Sequence, residues 1–412
     1  MKYETKMATI LSITFGIAFF DRNAVNFLVP FIAPDLGLSN TQIGFLSSAL
    51  SLTWAISGYA LGALSDATGR RKIFLLAAIF IFSCCSFLSG LATSFMMLLV
   101  ARLIMGISEG PMMPVSHAMI VTEVSPKRRG LYMGFVQNFG SNLLGSFAAP
   151  LVLVALAEMF NWRIAFFISG VPGLIAAFFI WKYIREPGAQ KALFPKKNQA
   201  EEATDKPKKM NTFQLFRYRN IVLCGLISIL SVSYLVIAWA FMPIFFVQAR
   251  GFEPTTMSWL MSTLGISATV CAFLVPGLSD RFGRKPILVL FSLVGVVCPL
   301  GALYFQGPVI ILAAFLFIGW ALNGTFPVFM ATVPAETLPP GYVATVMGLI
   351  MAIGEIIGGF SGPAIAGWAA DQFGLSAPLL IQTGCAIGSG LLALGLKESA
   401  PIKVGSPAPN PA

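Results

Sequence analysis

Long apolar runs separated by short polar interruptions set the pattern of this chain from end to end. A helix that crosses a bilayer needs about 20 mostly apolar residues. Twelve stretches meet that requirement: 8–33, 42–64, 73–92, 95–121, 131–157, 163–183, 220–248, 256–278, 287–305, 308–333, 342–369 and 376–396. Composition agrees, with 57% of the residues hydrophobic and 11% charged, and a mean hydropathy of +0.81 that no soluble domain of this length approaches. The expected fold class is an all-α membrane protein of twelve transmembrane helices.

Lys and Arg cluster at Arg70 to Lys72, Lys127 to Arg129, along Lys182 to Arg219, and at Arg281, Arg284 and Lys285. These all fall on one side of the membrane if the N-terminus is cytoplasmic, and only Arg163 and Arg250 break the pattern. Short cytoplasmic connections keep positive charge, so both termini are expected inside, in a bacterial inner membrane. The net charge of +10 borders the spans instead of forming a folded basic face, which favours contact with anionic lipids over nucleic acid. Cys84, Cys85, Cys224, Cys271, Cys298 and Cys385 all fall inside predicted spans and read as packing residues, with no disulfide framework, metal site or cofactor implied. The first span lacks a small-residue cleavage pattern and is expected to be a retained helix.

The chain repeats itself. Asp66, Gly69, Arg70 and Arg71 recur as Asp280, Gly283, Arg284 and Lys285, and Gly134, Gly140 and Gly145 as Gly348, Gly354 and Gly359, all at an offset of 214. Glu123 and Pro126 recur as Glu336 and Pro339 at 213. Two pseudo-symmetric six-helix bundles of the same orientation follow. The expected domains are an N-terminal bundle over 1–185, a charged cytoplasmic linker over 186–218, a C-terminal bundle over 219–398, and a flexible tail over 399–412.

Charges inside apolar spans need a reason, because each costs a few kcal/mol or more at the bilayer centre; they usually mark an ion or substrate path. The first span carries Asp21 and Arg22, and the fourth carries Arg102, Glu109 and His117. Asp21 and Arg22 point about 100° apart, so they do not pair, while Arg22 shares a stripe with Asn26. Glu109 lies within roughly 20° of Arg102 but about 10 Å further along the axis, which leaves it able to titrate. Pro111 and Pro114 are expected to interrupt the helix just beyond it. A division of labour follows. A guanidinium stays charged and grips a carboxylate in a bidentate fork, whereas a desolvated carboxylate favours its neutral form and accepts a proton.

Further polar residues stand at Gln137, Asn138 and Asn142 in the fifth span and Asn323 and Thr325 in the tenth, where cargo contact and interhelical hydrogen bonding are the alternatives. For Tyr234 and Trp239 in the seventh span, apolar packing competes with a cavity role. Glu355 in the eleventh stands open between a second proton site and a structural partner to a cation such as Arg22.

The loop around Asp66, Gly69, Arg70 and Arg71, its echo at Asp280 and Arg284, and the 6+6 layout resemble the major facilitator superfamily. In this setting the loop charges are expected to act as a gating latch holding one half against the other. The Asp-Arg-Asn at Asp21, Arg22 and Asn23, with Arg102, Glu109 and His117, is similar to the anion:cation symporter branch of that family. That branch includes bacterial sugar-acid and organic-acid proton symporters, sialin and the vesicular glutamate transporters. The resemblance implies that Arg22 holds an organic anion, that Asp21 and Glu109 couple protons, and that Arg102 belongs to the coupling network, to which His117 and Glu355 are added. Sugar-acid members carry aromatic hydroxyls where this chain has Phe19 and Trp54. Losing those hydroxyls favours a less hydroxylated, even aromatic, carboxylate.

The expected function is a monomeric proton-coupled importer of a small organic carboxylate, with Asn26, Trp54, Asn138, Asn142, Tyr234 and Asn323 joining Arg22 around the cargo. An efflux antiporter of the same fold is the alternative, weakened because Gly362 and Pro363 fall in the eleventh span and not the fifth. With one histidine and no clustered nucleophiles, nothing supports an enzyme.

Overall fold

The computed structural model describes residues 3–125, 128–186, 215, 217–338 and 343–404. Most of the expected linker, the tail beyond Val404, and Pro126, Lys127 and Pro339 lie outside the described residues.

The described residues contain twelve helices long and apolar enough to cross a membrane. They are α1 (Tyr3–Leu36), α2 (Asn40–Thr68), α3 (Arg71–Gly90), α4 (Phe95–Glu123), α5 (Leu131–Met159), α6 (Trp162–Tyr183), α7 (Arg219–Ala249), α8 (Pro254–Phe282), α9 (Arg284–Tyr304), α10 (Val309–Thr337), α11 (Thr345–Phe373) and α12 (Ser376–Leu394). Among the described residues there is no strand. Only helices satisfy every backbone group without water, so the apolar runs dictate this architecture.

Helix ends are fixed by polar residues just outside the runs. Ser39 and Gln42 form a capping box at the start of α2. Ser94 and Asn161 cap α4 and α6 through their side chains. Gly69 ends α2 at φ 67°, a left-handed conformation that glycine adopts freely. Asp371, near the end of α11, accepts from the Asn40 and Thr41 backbone N–H groups and from the Asn40 amide at 2.8–2.9 Å, and also from the Thr41 hydroxyl.

By contact the chain divides into two units. One comprises Met1–Thr204, Trp239–Ile266 and Pro363–Leu375, and the other Asp205–Ala238, Ser267–Gly362 and Ser376–Ala412. The first thus holds α1 to α6 with parts of α7, α8 and α11.

The repeated glycines have a local cause. A Cβ on Gly140 of α5 would meet the Ser12 carbonyl oxygen of α1 at 1.8 Å, and one on Gly354 of α11 would meet Ser228 Oγ of α7 at 2.2 Å. The same crossings are tied by Ser12 Oγ donating to the Phe135 carbonyl and Ser228 Oγ to the Ile350 carbonyl, each at 3.1 Å. Small residues let helix backbones approach, which is how membrane helices pack where lipid offers no hydrophobic drive. Gly134 and Gly348 meet nothing within 4 Å, so their repetition has no packing account here.

Four spans contain π-helical or 3-10 stretches. Stretches of π-helix occupy Phe135–Phe139 and Ser141–Ala148 in α5, Phe245–Ala249 in α7, Val328–Thr332 in α10 and Gly354–Gly359 in α11, and a 3-10 turn occupies Trp320–Thr325 in α10. Such wide turns recur at functional sites. In α4 the helical ladder breaks at Gly110 and Pro111 alone. Pro114 falls in the first turn of the continuing helix Met112–Glu123, where its missing N–H costs nothing, so the expected double interruption is a single one.

Candidate functional site

The charged residues of α1 and α4 meet in one buried cluster of the first unit. Asp21, Arg102 and Glu109 are 0%, 3% and 4% exposed, and the charges of Asp21, Arg22, Arg102 and Glu109 act on one another. Close approach of α2 to α4 makes this possible. A Cβ on Gly106 would lie 2.1 Å from Thr53 Oγ1, and one on Gly110 2.0 Å from Ser57 Oγ, so both positions must stay bare.

Asp21 turns away from Arg22, as the helical wheel requires. Its Oδ1 accepts from Ser86 Oγ of α3 at 2.5 Å and from Ser169 Oγ of α6 at 3.0 Å, while the buried Oδ2 has no hydrogen-bond partner. Glu109 Oε1 is likewise buried without a partner. Arg102 donates from Nη1 to the Arg22 carbonyl at 2.7 Å, but its Nε and Nη2 are buried and unpartnered. No ion pair within 4 Å joins Arg102 to either carboxyl among the described residues. A charged oxygen without a donor is expensive in a low-dielectric interior, and a neutral acid there is far less so. The arrangement therefore suits groups that take up and release protons.

Arg22 is half-buried, and its guanidinium carbon lies 5.5 Å from the Phe19 ring centroid and 5.3 Å from that of Trp54. The two rings that replace expected hydroxyls thus flank the cation directly. Such contacts hold a guanidinium in place while leaving its N–H fork for a planar acceptor. Asn26 accepts from Ser47 Oγ at 3.3 Å, and Asn23 donates to the Gly145 carbonyl at 2.9 Å, pinning α1 to α5. Asn142 is half-buried in the π-helical part of α5; the Asn138 and Gln137 backbones lie in the same span, and the Asn138 side chain is outside the described atoms. His117 is half-buried with no partner for Nε2. Trp239 packs edge-on against Phe27 at 5.6 Å.

Tyr234, Asn323, Thr325 and Glu355 belong to the second unit. The Tyr234 hydroxyl is buried and donates to the Gly295 carbonyl at 2.8 Å, and its ring lies 5.8 Å from that of Trp320. With Leu235, Leu322, Asn323 and Phe326 these two rings border a narrow crevice. Thr325 donates to the Leu322 carbonyl. Glu355 is half-buried where the π-helical stretch of α11 begins.

The loop charges form ion pairs within each repeat. Arg71 donates to Asp66 at 3.2 Å, to the Ala118 carbonyl at 2.9 Å and to Thr122 Oγ1 at 2.7 Å, so its partners all lie in α2 and α4 of one bundle. Arg70 is exposed. In the second unit Arg284 pairs with Asp280 at 2.5 Å and with Glu336 at 2.8 Å. These contacts fasten neighbouring helices within each repeat. Carboxylates just after α6 and α12 complete them. Glu186 accepts from the Lys72 backbone N–H at 3.1 Å, and Glu398 from those of Arg284 at 2.8 Å and Lys285 at 3.2 Å. Partial burial works against the Glu398 carboxylate, yet four backbone N–H groups hold its pKa below the usual range. Arg163, which breaks the charge asymmetry, is offset by Asp35 at 2.7 Å.

Ser86 and Ser169 escaped the sequence reading, although the spacing of Ser83, Ser86 and Ser89 marks one buried polar stripe on α3. Glu186, Glu398 and Asp371 escaped it because each acts on a helix start remote in sequence.

Twelve membrane-spanning helices with a buried charge cluster define an integral membrane protein of the secondary-transporter type. The family model for the Major Facilitator Superfamily matches residues 11–361 and 222–411, and the chain belongs to that family of transporters. It is 27% identical to a hexuronate transporter of Bacillus subtilis over 90% of this chain and 89% of that one. It is 28% identical to a probable 4-methylmuconolactone transporter of Cupriavidus pinatubonensis over 82% and 78%. A bacterial homologue of the human lysosomal transporter Spinster, solved in an inward-facing conformation, shares the fold with a TM-score of 0.74 at 18% identity, over 96% of this chain and 95% of that one.

Proposed function

We propose that the protein is a proton-coupled symporter that imports a small organic carboxylate by alternating access. One observation carries this reading: a cation flanked by aromatic rings sits in the same buried cluster as two carboxyls, each with an oxygen that no donor reaches. Protons loading Asp21 and Glu109 from outside leave the guanidinium charges of Arg22 and Arg102 uncompensated, and Arg22, the less buried of the two, draws the anion in. With the acids neutral, the cluster can be closed off from water at lower cost and the halves swing. Release inside follows deprotonation. Arg102, bonded to the Arg22 carbonyl, keeps the α1 backbone in register with α4 through the cycle. Both termini face the cytoplasm of a bacterial inner membrane, and the single chain is the working unit.

The walls favour a cargo with few hydroxyls. Phe19 and Trp54 offer ring faces, and a polyol pressed against them would lose hydrogen bonds to water without replacement. Relatives named for a hexuronate and for a methylmuconolactone support carboxylates as the class and leave room for a flatter, less hydroxylated member.

The test is uptake into proteoliposomes of the full chain, acid outside, with labelled glucuronate, galactonate, muconolactone and benzoate as probes. Uphill accumulation of at least one probe is expected, abolished in Arg22→Ala. A gradient that drives expulsion instead, or accumulation indifferent to pH, overturns the reading.

A further inference from the structure

We propose that Ser86 and Ser169 are positioning residues of the Asp21 proton site, a hydroxyl pair that rotates as the carboxyl gains or loses its proton. The inference rests on the reading of Asp21 as a proton carrier.

Each hydroxyl owns one hydrogen and sits between the same two acceptors. Ser86 Oγ lies 2.5 Å from Asp21 Oδ1 and 3.0 Å from the Phe166 carbonyl oxygen. Ser169 Oγ lies 3.0 Å from Oδ1 and 2.9 Å from that same carbonyl. The hydroxyls are 2.9 Å apart, and both serines are buried. Two hydrogens thus face one acceptor of constant polarity and one whose charge changes by a full unit. When Asp21 is ionised, both hydrogens go to Oδ1, because a hydrogen bond to a charged oxygen is about twice as strong as a neutral one. When a proton sits on Oδ2, which has no hydrogen-bond partner, Oδ1 becomes a neutral acceptor no better than the peptide carbonyl. The hydroxyls can then turn to Phe166 by rotation about their C–O bonds, with no side chain displaced.

The serines therefore do two things. They stabilise the ionised acid in a site otherwise hostile to it, setting the pH at which it loads. They also fasten α1 to α3 and α6 more firmly in the deprotonated state than in the protonated one, so the proton changes how α1 is held. The other charged or titratable groups facing Asp21 are Arg102 and Glu109 of α4 and the Cys85 thiol of α3, with Arg22 adjacent in α1. None of them supplies Asp21 with a hydrogen bond.

The experiment needs no cargo, since the proton is the probe. The full chain in proteoliposomes is stepped through pH 4–9, and infrared difference spectra follow the carboxylic C=O band that disappears in Asp21→Asn. Ser86→Ala and Ser169→Ala are each expected to raise its titration midpoint by about one pH unit, the worth of one hydrogen bond to a charged group. Ser169→Thr, which keeps the hydroxyl, is expected to stay near the wild-type midpoint. A merely structural role would lower the melting temperature of the alanine variants without moving the midpoint, and that result overturns the inference. If Asp21→Asn removes no band, Asp21 does not titrate and the proton reading falls with it. The single variants decide the matter even where the double variant fails to fold.

Discussion

On the proposed reading of Glu109 as a proton carrier, Glu109→Gln is expected to separate transport from coupling. The substitution keeps the side-chain shape at a position 4% exposed and removes the charge. An unpaired buried amide costs about 1–3 kcal/mol, less than an uncompensated carboxylate, so the melting temperature is expected to hold or rise. The functional magnitude follows from the cluster itself. Its two carboxyls bound the stoichiometry at two protons. At zero membrane potential each coupled proton supplies about 1.4 kcal/mol per pH unit, roughly tenfold in accumulation. A glutamine mimics the loaded state permanently, so the cycle turns without moving that proton. The assay is the steady-state accumulation ratio in proteoliposomes at a one-unit gradient, voltage clamped with potassium and valinomycin, beside counterflow exchange without a gradient. Exchange is expected to persist while accumulation falls by about tenfold, or to none if Asp21 cannot couple alone. An unchanged ratio refutes the assignment of Glu109.

Other positions give independent checks. Arg22→Lys keeps the charge but loses the planar fork and the ring contacts, so probe affinity measured by thermal shift should fall by at least about tenfold, against near-complete loss in Arg22→Ala. Gly140→Ala drives a methyl into the Ser12 carbonyl and should cost about 1–3 kcal/mol of stability, seen as a lower melting temperature, whereas Gly134→Ala, with open space, should be neutral or slightly stabilising. Glu398 has a depressed pKa in the folded protein, so its stabilising effect is full above the unfolded value of about 4.3 and is lost as pH falls through the folded value. Melting curves in acid should accordingly show a pH-dependent decline that Glu398→Gln flattens; identical pH profiles would refute that role.

The twelve spans were legible because a bilayer allows one solution to an apolar run of this length, and all twelve expected stretches coincide with helices to within a few residues. Their ends were less so. In α2 the apolar signal stops before the helix does, which continues to a glycine cap the hydropathy does not register. Asp21, Arg22, Arg102 and Glu109 announced themselves by being charged in the wrong solvent, and helical geometry correctly kept Asp21 and Arg22 from pairing. Sequence could not say which groups complete the site, because Ser86 and Ser169 are ordinary residues for a membrane helix and become special only where α1, α3 and α6 meet. The π-helical turns were equally hidden, since wide and regular turns differ in hydrogen bonding and not in composition. The loop charges announced ion pairs but not all of their partners, because Glu336, Glu186 and Glu398 lie far along the chain from the residues they meet.

Asp371 grips a helix start that is open to solvent. Anything that pulls it away from Asn40 and Thr41 uncovers donors that water can occupy at once, so each bond lost is exchanged and not orphaned. Such a clasp holds by geometry and lets go at small cost, so under the alternating access proposed above it suits a catch that opens and shuts with every turnover.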